Sequence, residues 1–181
     1  MNTYVALLRG INVSGQKKIR MEDLRATLEN VGLHRVKTYI QSGNIVFDSM
    51  EAEIKTLEAT IYQAILTDFG FEVPNLVLTG NAIHHILESS PFKEETNEKG
   101  LYFVLLKEVP NNALVSEFNK LKFDNEDFHV AANCVYLNCR TGYGKAKLNN
   151  NLIERKLKVE ATTRNLRTMQ KLLELTQEVR D

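Results

Sequence analysis

The first hydrophobic segment, "YVALLR" (residues 4–9), is apolar at nearly every position, which marks a strand buried on both faces rather than one with a wet side. The pattern then changes period. "MEDLRATLENVG" places Met21, Leu24, Leu28 and Val31 on one helical face, with Glu22 and Asp23 in the first turn and Gly32 after the end. "RVKTYI" (35–40) and "NIVFDS" (44–49) return to strand spacing, and "QSG" between them signals a hairpin turn. A helix follows from about Glu51, with Ile54, Leu57, Ile61 and Ile65 on its inner stripe, and stops near Gly70. "PNLVLT" (74–79) is the next strand. The resulting order, β-α-β-β-α-β, is a split β-α-β motif.

A similar series begins again in the second half. A short helix, "NAIHHILES", leads to "LYFVLLKE" (101–108), which echoes "TYVALLRG" position by position. A helix near 111–121, a strand "DFHVA", a tight turn at "AN" and a strand "CVYLNC" follow, then helices at about 148–157 and 163–179. The fold class this predicts is α+β, with two ferredoxin-like subdomains, residues 1–80 and 81–181, related by a degenerate internal duplication and sharing one core. The double burial of "YVALLR" is explained if the second subdomain covers the open face of the first sheet.

Composition narrows the class. Of 181 residues, 43% are hydrophobic and 25% charged, the profile of a globular domain, and no apolar run approaches the ~20 residues needed to span a bilayer. The N-terminus "MNTYVALLRG" lacks a basic region and a cleavage pattern, so it reads as a first strand and the expected location is the cytoplasm. Cys134 and Cys139, five apart in one strand, point to opposite faces and cannot bridge each other. With four scattered histidines they offer no metal-ligand spacing, so neither a metal nor another cofactor is expected. The zero net charge hides a segregation. Residues 1–47 carry seven Lys and Arg against three Asp and Glu, residues 48–128 six against fifteen, and residues 139–168 eight against two. Two basic stretches around an acidic middle predict one positive face if the fold brings them together, and solvated faces without a partner if it does not.

Chemistry can gather where the topology brings loops together. In a split β-α-β unit the first two strands run parallel, so the loop "RGINVSGQKK" after the first lies beside "QSGN" after the second. That edge collects Arg9, Gly10, Asn12, Ser14, Gly15, Lys17, Lys18, Gln41, Ser42 and Asn44, with no carboxylate before Glu22. Such a donor-rich edge suits an anion, with glycine-bearing loops and a helix start beside it. The alternative is a plain turn and hairpin. The loop is not a Walker A motif: Gly10 and Gly15 have the spacing, but Gln16 precedes Lys17 and no Ser or Thr follows to hold magnesium.

A second concentration comprises "TGYGKAKLNNN" (141–151), with Gly142, Gly144, Lys145 and Lys147, and "TTRNLRT" (162–168). Arg164 and Arg167 are expected at the start of the last helix, capped by Thr162 or Thr163, where cations oppose the macrodipole. Either a carboxylate of the acidic middle or a bound anion then neutralises them.

None of these loops holds an Asp, Glu, His or Cys for general acid–base work, and Ser14 and Ser42 have no partner base. Catalysis would fall to Lys17, Tyr39 or Tyr143, or the substrate would supply its own acid. An RNA-binding sheet face is not indicated, because "YVALLR" and "NIVFDS" lack the aromatic pattern it needs. A phosphate track of Arg9, Lys17, Lys18, Lys145, Lys147, Arg164 and Arg167 remains open, as does a protein-interaction role.

The motifs "YVALLRGINVSGQKKIRMEDLR", "TYIQSGNIVF", "GKAKLNN" and "TTRNLRTMQKL" resemble the domain of unknown function 1697 family of bacterial proteins, over almost the whole chain. The resemblance implies two ferredoxin-like subdomains, a cytoplasmic protein and no established activity. Its recognisable segments fall on Arg9, Gly10, Asn12 and Gly15, on Gln41, Ser42, Gly43 and Asn44, on Lys147, and on Thr163, Arg164 and Asn165. The chain departs from the family pattern at Ser14, Ala146 and Leu166, where a glycine, a serine and a tryptophan are usual. The expected function is binding of a phosphate-bearing anion, a nucleotide or nucleic-acid backbone, between loops 9–18 and 41–44. Lys145, Lys147, Arg164 and Asn165 are candidates to close the site. The alternatives are a small enzyme acting on a phosphorylated or carboxylated metabolite and a protein-interaction module.

Overall fold

β1 (Asn2–Leu8) is an inner strand of the sheet formed by the first half of the chain. In the computed structural model, which describes residues 1–93 and 98–178, β1 pairs with β3 (Asn44–Ser49) on one side and β4 (Asn75–Thr79) on the other. β2 (His34–Tyr39) pairs with the far side of β3, giving the order β2-β3-β1-β4 with antiparallel neighbours throughout.

One face of this sheet carries Tyr4, Ala6, Leu8, Ile45, Phe47 and Val77, which pack against α1 (Met21–Asn30) and α2 (Ile54–Phe69). Leu24 and Leu28 come from α1, Leu57, Ile61 and Ile65 from α2, and all five are fully buried or nearly so. Each contributes roughly 1.5–3 kcal/mol of apolar burial. The opposite face is buried as well, since Val5, Leu7 and Val46 expose nothing. The double burial expected of the first apolar run is therefore observed. Val31 is a correction. The helix ends one residue before it, Val31 is its C-cap and Gly32 turns away at φ +89°, so the side chain is exposed. Buried Thr27 takes its place on the inner face.

The second half repeats the order. β5 (Leu101–Leu106), α4 (Asn112–Phe118), β6 (Glu126–Val130), β7 (Cys134–Cys139), α5 (Asn150–Leu157) and β8 (Ala161–Asn165) form a sheet in the order β6-β7-β5-β8, again antiparallel throughout. Val104, Val135 and Leu137 on its helix-facing side cluster with Phe118 of α4 and Ile153 and Leu157 of α5. The chain divides into two units, Met1–His85 with the chain from Lys171 onward, and Ile86–Gln170. α3 (Gly80–Glu88) and α6 (Leu166–Gln177) each contribute to both.

β8 corrects an expectation. The last helix starts at Leu166 rather than near 163, and the residues before it are a strand paired with β5, Phe103 opposite Arg164 and Leu105 opposite Thr162. Arg164 is thus a strand residue, and Asn165 caps the helix, accepting from Thr168 N at 2.9 Å. Among the described residues, no helix is long and apolar enough to cross a membrane.

Candidate functional site

The loop after β1 folds back on itself. Ser14 and Gly15 sit at φ +50° and +75°, the paired positive values of a type I′ turn. Gln16 N donates to Val13 O at 3.0 Å and Asn12 N to Lys17 O at 3.2 Å, so residues 12–17 form a miniature hairpin projecting from the sheet edge. Asn12, itself at φ +55°, closes the base. Its Nδ2 donates to Ile19 O at 2.9 Å and to Gln41 O at 2.8 Å, and its Oδ1 accepts from Ile19 N at 2.9 Å. One side chain thereby fixes the loop and ties it to the β2–β3 turn.

That turn is held from below. Leu8 N donates to Gly43 O at 2.8 Å. Gly43 has φ +80°, and a Cβ on it would lie 2.5 Å from Leu8 Cβ, so only glycine fits. Asn44 is fully buried and donates to Tyr39 O at 3.1 Å and Ser42 Oγ at 2.9 Å. A third segment, between α2 and β4, joins the same edge. Arg9 N donates to Pro74 O at 2.9 Å, and Lys17 Nζ donates to Glu72 O at 2.6 Å. This segment was not foreseen from the sequence, and it introduces a carboxylate. Glu72 hydrogen-bonds the Tyr62 hydroxyl and raises its pKa. The edge is therefore donor-rich but not free of acid.

The side chains of Asn12, Lys17, Ser42 and Asn44, all expected site residues, have structural partners that hold the loops together. On the outer surface lie Gly10, Ser14, Gly15, Gln16, Lys18 and Gln41, with Arg9 partly exposed. Among the described residues, the N–H groups of Gly10, Ser14 and Gly15 donate to nothing else. Arg20, at the start of α1, leaves the helix without a side-chain cap and instead pairs with Asp23 through Nε at 2.8 Å and Nη2 at 2.9 Å.

The second basic segment is built around an internal acid. The buried carboxylate of Glu126 accepts from Lys147 N at 2.8 Å and Leu148 N at 2.6 Å, so two amides of the glycine loop already have their anion. The Lys145 and Lys147 residues are exposed. Tyr143 stacks on Tyr102 with ring centroids 4.6 Å apart, and its hydroxyl accepts from Asn150 N at 2.9 Å and lies 3.2 Å from Thr163 Oγ1. The guanidinium of buried Arg164 donates to Thr162 Oγ1 at 2.9 Å and Thr163 O at 2.8 Å, and burial lowers its pKa to about 10. Sequence reasoning passed over Glu126, although an acid at the start of a strand facing a glycine-lysine loop was the signal available.

Among the described residues no group of three His, Cys, Asp or Glu could hold a metal ion. His84 and His85 are exposed on α3, and His34 is exposed at the first position of β2.

The family described as Protein of unknown function (DUF1697) matches residues 1–136. A solved structure, the conserved bacterial protein SP0830 from Streptococcus pneumoniae, is similar at a TM-score of 0.77 and 24% identity, over 96% of this chain and 98% of that one. No curated protein matches.

Proposed function

The chain belongs to the DUF1697 family of proteins of unknown function, and we propose that it binds a phosphate-bearing anion, a nucleotide or nucleic-acid backbone, at the edge where the first unit's loops meet. The observation that carries this reading is the joining of residues 9–20 and 40–43 by the Asn12 side chain. A rigid loop then presents Arg9, Lys18, Gln41 and the N–H groups of Gly10, Ser14 and Gly15 on one edge. Turn amides without an internal acceptor can add to an anion-binding concavity, and cationic side chains add to the potential. Lys145, Lys147, Arg164 and Asn165 are left out of the proposal, since they or their neighbours already serve partners within the second unit. The common strand order of the two sheets supports reading both units as ferredoxin-like repeats, and two buried free cysteines suit a cytoplasmic setting.

Thermal unfolding against nucleotides, sugar phosphates, sulfate and short RNA at low salt tests the site. A ligand at ~100 times its Kd adds ~2.7 kcal/mol. The expected result is a selective stabilisation that Lys18→Ala and Arg9→Ala reduce. A panel without any shift rejects the proposal. A nucleic-acid ligand is separated from a small one by a steep loss of binding with added salt.

One observation favours a protein partner instead. Val13 and Ile40 are 56% and 53% exposed on these two loops, and Ile40 sits at φ +50°, a conformation β-branched residues avoid. Under that reading Val13→Ser weakens partner binding and leaves anion binding unchanged.

A further inference from the structure

We propose that the outer edge of β6 pairs with the same edge of a second copy of this chain, joining two sheets into one continuous sheet. The backbone fixes which groups face outward. Ala131 N donates to Cys134 O at 2.8 Å and Arg140 N donates to Asn125 O at 2.9 Å. In this register Asp127 and His129 make the ladder bonds to β7, and the N–H and C=O groups of Glu126, Phe128 and Val130 point away from the sheet. Among the described residues, no donor or acceptor reaches those outward groups.

The other three sheet edges are blunted. On β4, the outward N–H of Val77 donates to Glu58 Oε1 at 3.0 Å. On β8, the equivalent strand of the second unit, Ala161 N donates to Glu154 Oε1 at 2.8 Å and Ala161 O accepts from Asn150 Nδ2 at 3.1 Å. β2 is broken by a bulge between His34 and Lys37, with Arg35 at φ +49°. Proteins block unpaired edges with such devices because an open edge recruits another strand. β6 is short and carries Glu126 and Asp127, but among the described residues it has neither a capped outward backbone group nor a bulge, and it borders a groove of about 360 Å³ lined by Leu121, Lys122 and Phe123 as well as by the strand.

The sequence of the edge is complementary to itself. Antiparallel pairing about Phe128 matches outward groups with outward groups, Phe128 with its own copy and Glu126 with Val130. It also sets Asp127 opposite His129 of the second copy, and His129 opposite its Asp127. A carboxylate directly across an antiparallel pair from an imidazole N–H is favourable, with Asp127 also held by Arg140 of its own chain, and here the pair occurs twice. Pairing one residue out of step would set inward backbone groups against outward ones, so the parity of the edge favours this register. A heterologous peptide would not need this palindromic placement of acid and imidazole.

The test is sedimentation velocity on the full chain over a wide concentration range. A concentration-dependent dimer is expected. His129→Asp places acid against acid at both pairs and weakens self-association by about tenfold or more. Exchanging the two, Asp127→His with His129→Asp, recovers it. Val130→Pro removes only an outward N–H, which an edge strand tolerates, and abolishes pairing. Should either variant fail to fold, amide exchange of the native chain decides: the Phe128 and Val130 amides gain protection with concentration if the edge pairs. A monomer at every concentration, or a dimer indifferent to these changes, overturns the proposal.

Discussion

Asn12 shows how a residue that looks like a ligand contact can be an internal brace. Its amide makes three hydrogen bonds, two of them within its own loop and one to the neighbouring turn. At ~1 kcal/mol net for each, with the left-handed conformation added, Asn12→Ala should cost about 4–5 kcal/mol. Asn12→Gly loses the bonds but keeps the conformation, and should be about 1 kcal/mol less damaging. Asn12→Asp sets carboxylate oxygen against the carbonyls of Ile19 and Gln41 and should be at least as harmful as alanine. Urea unfolding midpoints rank the three variants, and an Asn12→Ala protein as stable as the native one would remove the brace from the account. The sequence located this residue correctly and left its role open. Asparagine is favoured both where a ligand is bound and where the chain must turn left-handed, and only the partner atoms separate the two.

At the level of elements, legibility followed the apolar pattern. β1, α1, the β2–β3 hairpin and α2 carry strong periods and appear where expected. β8 does not. "ATTRN" has an arginine among three polar residues and runs straight into a helical pattern, so local sequence reads as a helix start. Pairing with β5, which buries Arg164 opposite Phe103, overrides that local preference. Glu126 escaped for a related reason, since an acid within an acidic stretch reads as solvated surface. It is nevertheless buried, and its two amide bonds fold the 142–148 loop. Glu126→Gln keeps one acceptor but turns an NH₂ group toward an amide N–H. The expected loss is about 2 kcal/mol, with increased proteolytic nicking within 142–148. If the glutamine variant matches the native protein in both measurements, the loop is held by something other than this carboxylate.

Taken over the whole chain, the buried groups with shifted titration belong to the second unit, and they set the pH at which it weakens. Burial raises the thiol of Cys139 from 9.0 to about 11 and the hydroxyl of Tyr136, which donates to Ile86 O at 3.0 Å, from 10.0 to about 12. Cys134, also buried, is pushed up further still. Above pH ~9 the unfolded chain releases these protons while the folded one retains them, so stability falls as pH rises. Arg164 acts in the opposite sense. Its folded pKa of about 10 lies below the usual 12.5, so between those values the folded state has shed a proton the unfolded state keeps, and stability gains. From pH 9 to 10 the acids act without that offset. The urea midpoint followed by circular dichroism should therefore be level from pH 7 to 8 and decline from 9 to 10. The transition should broaden or split as the second unit loosens ahead of the first, because two units of unequal stability need not unfold together. Replacing both cysteines with alanine should flatten most of the decline. A midpoint that stays constant to pH 10 would mean that the β7 thiols ionise in the folded protein as readily as in the unfolded chain, and that the interior around Cys134 and Cys139 admits water.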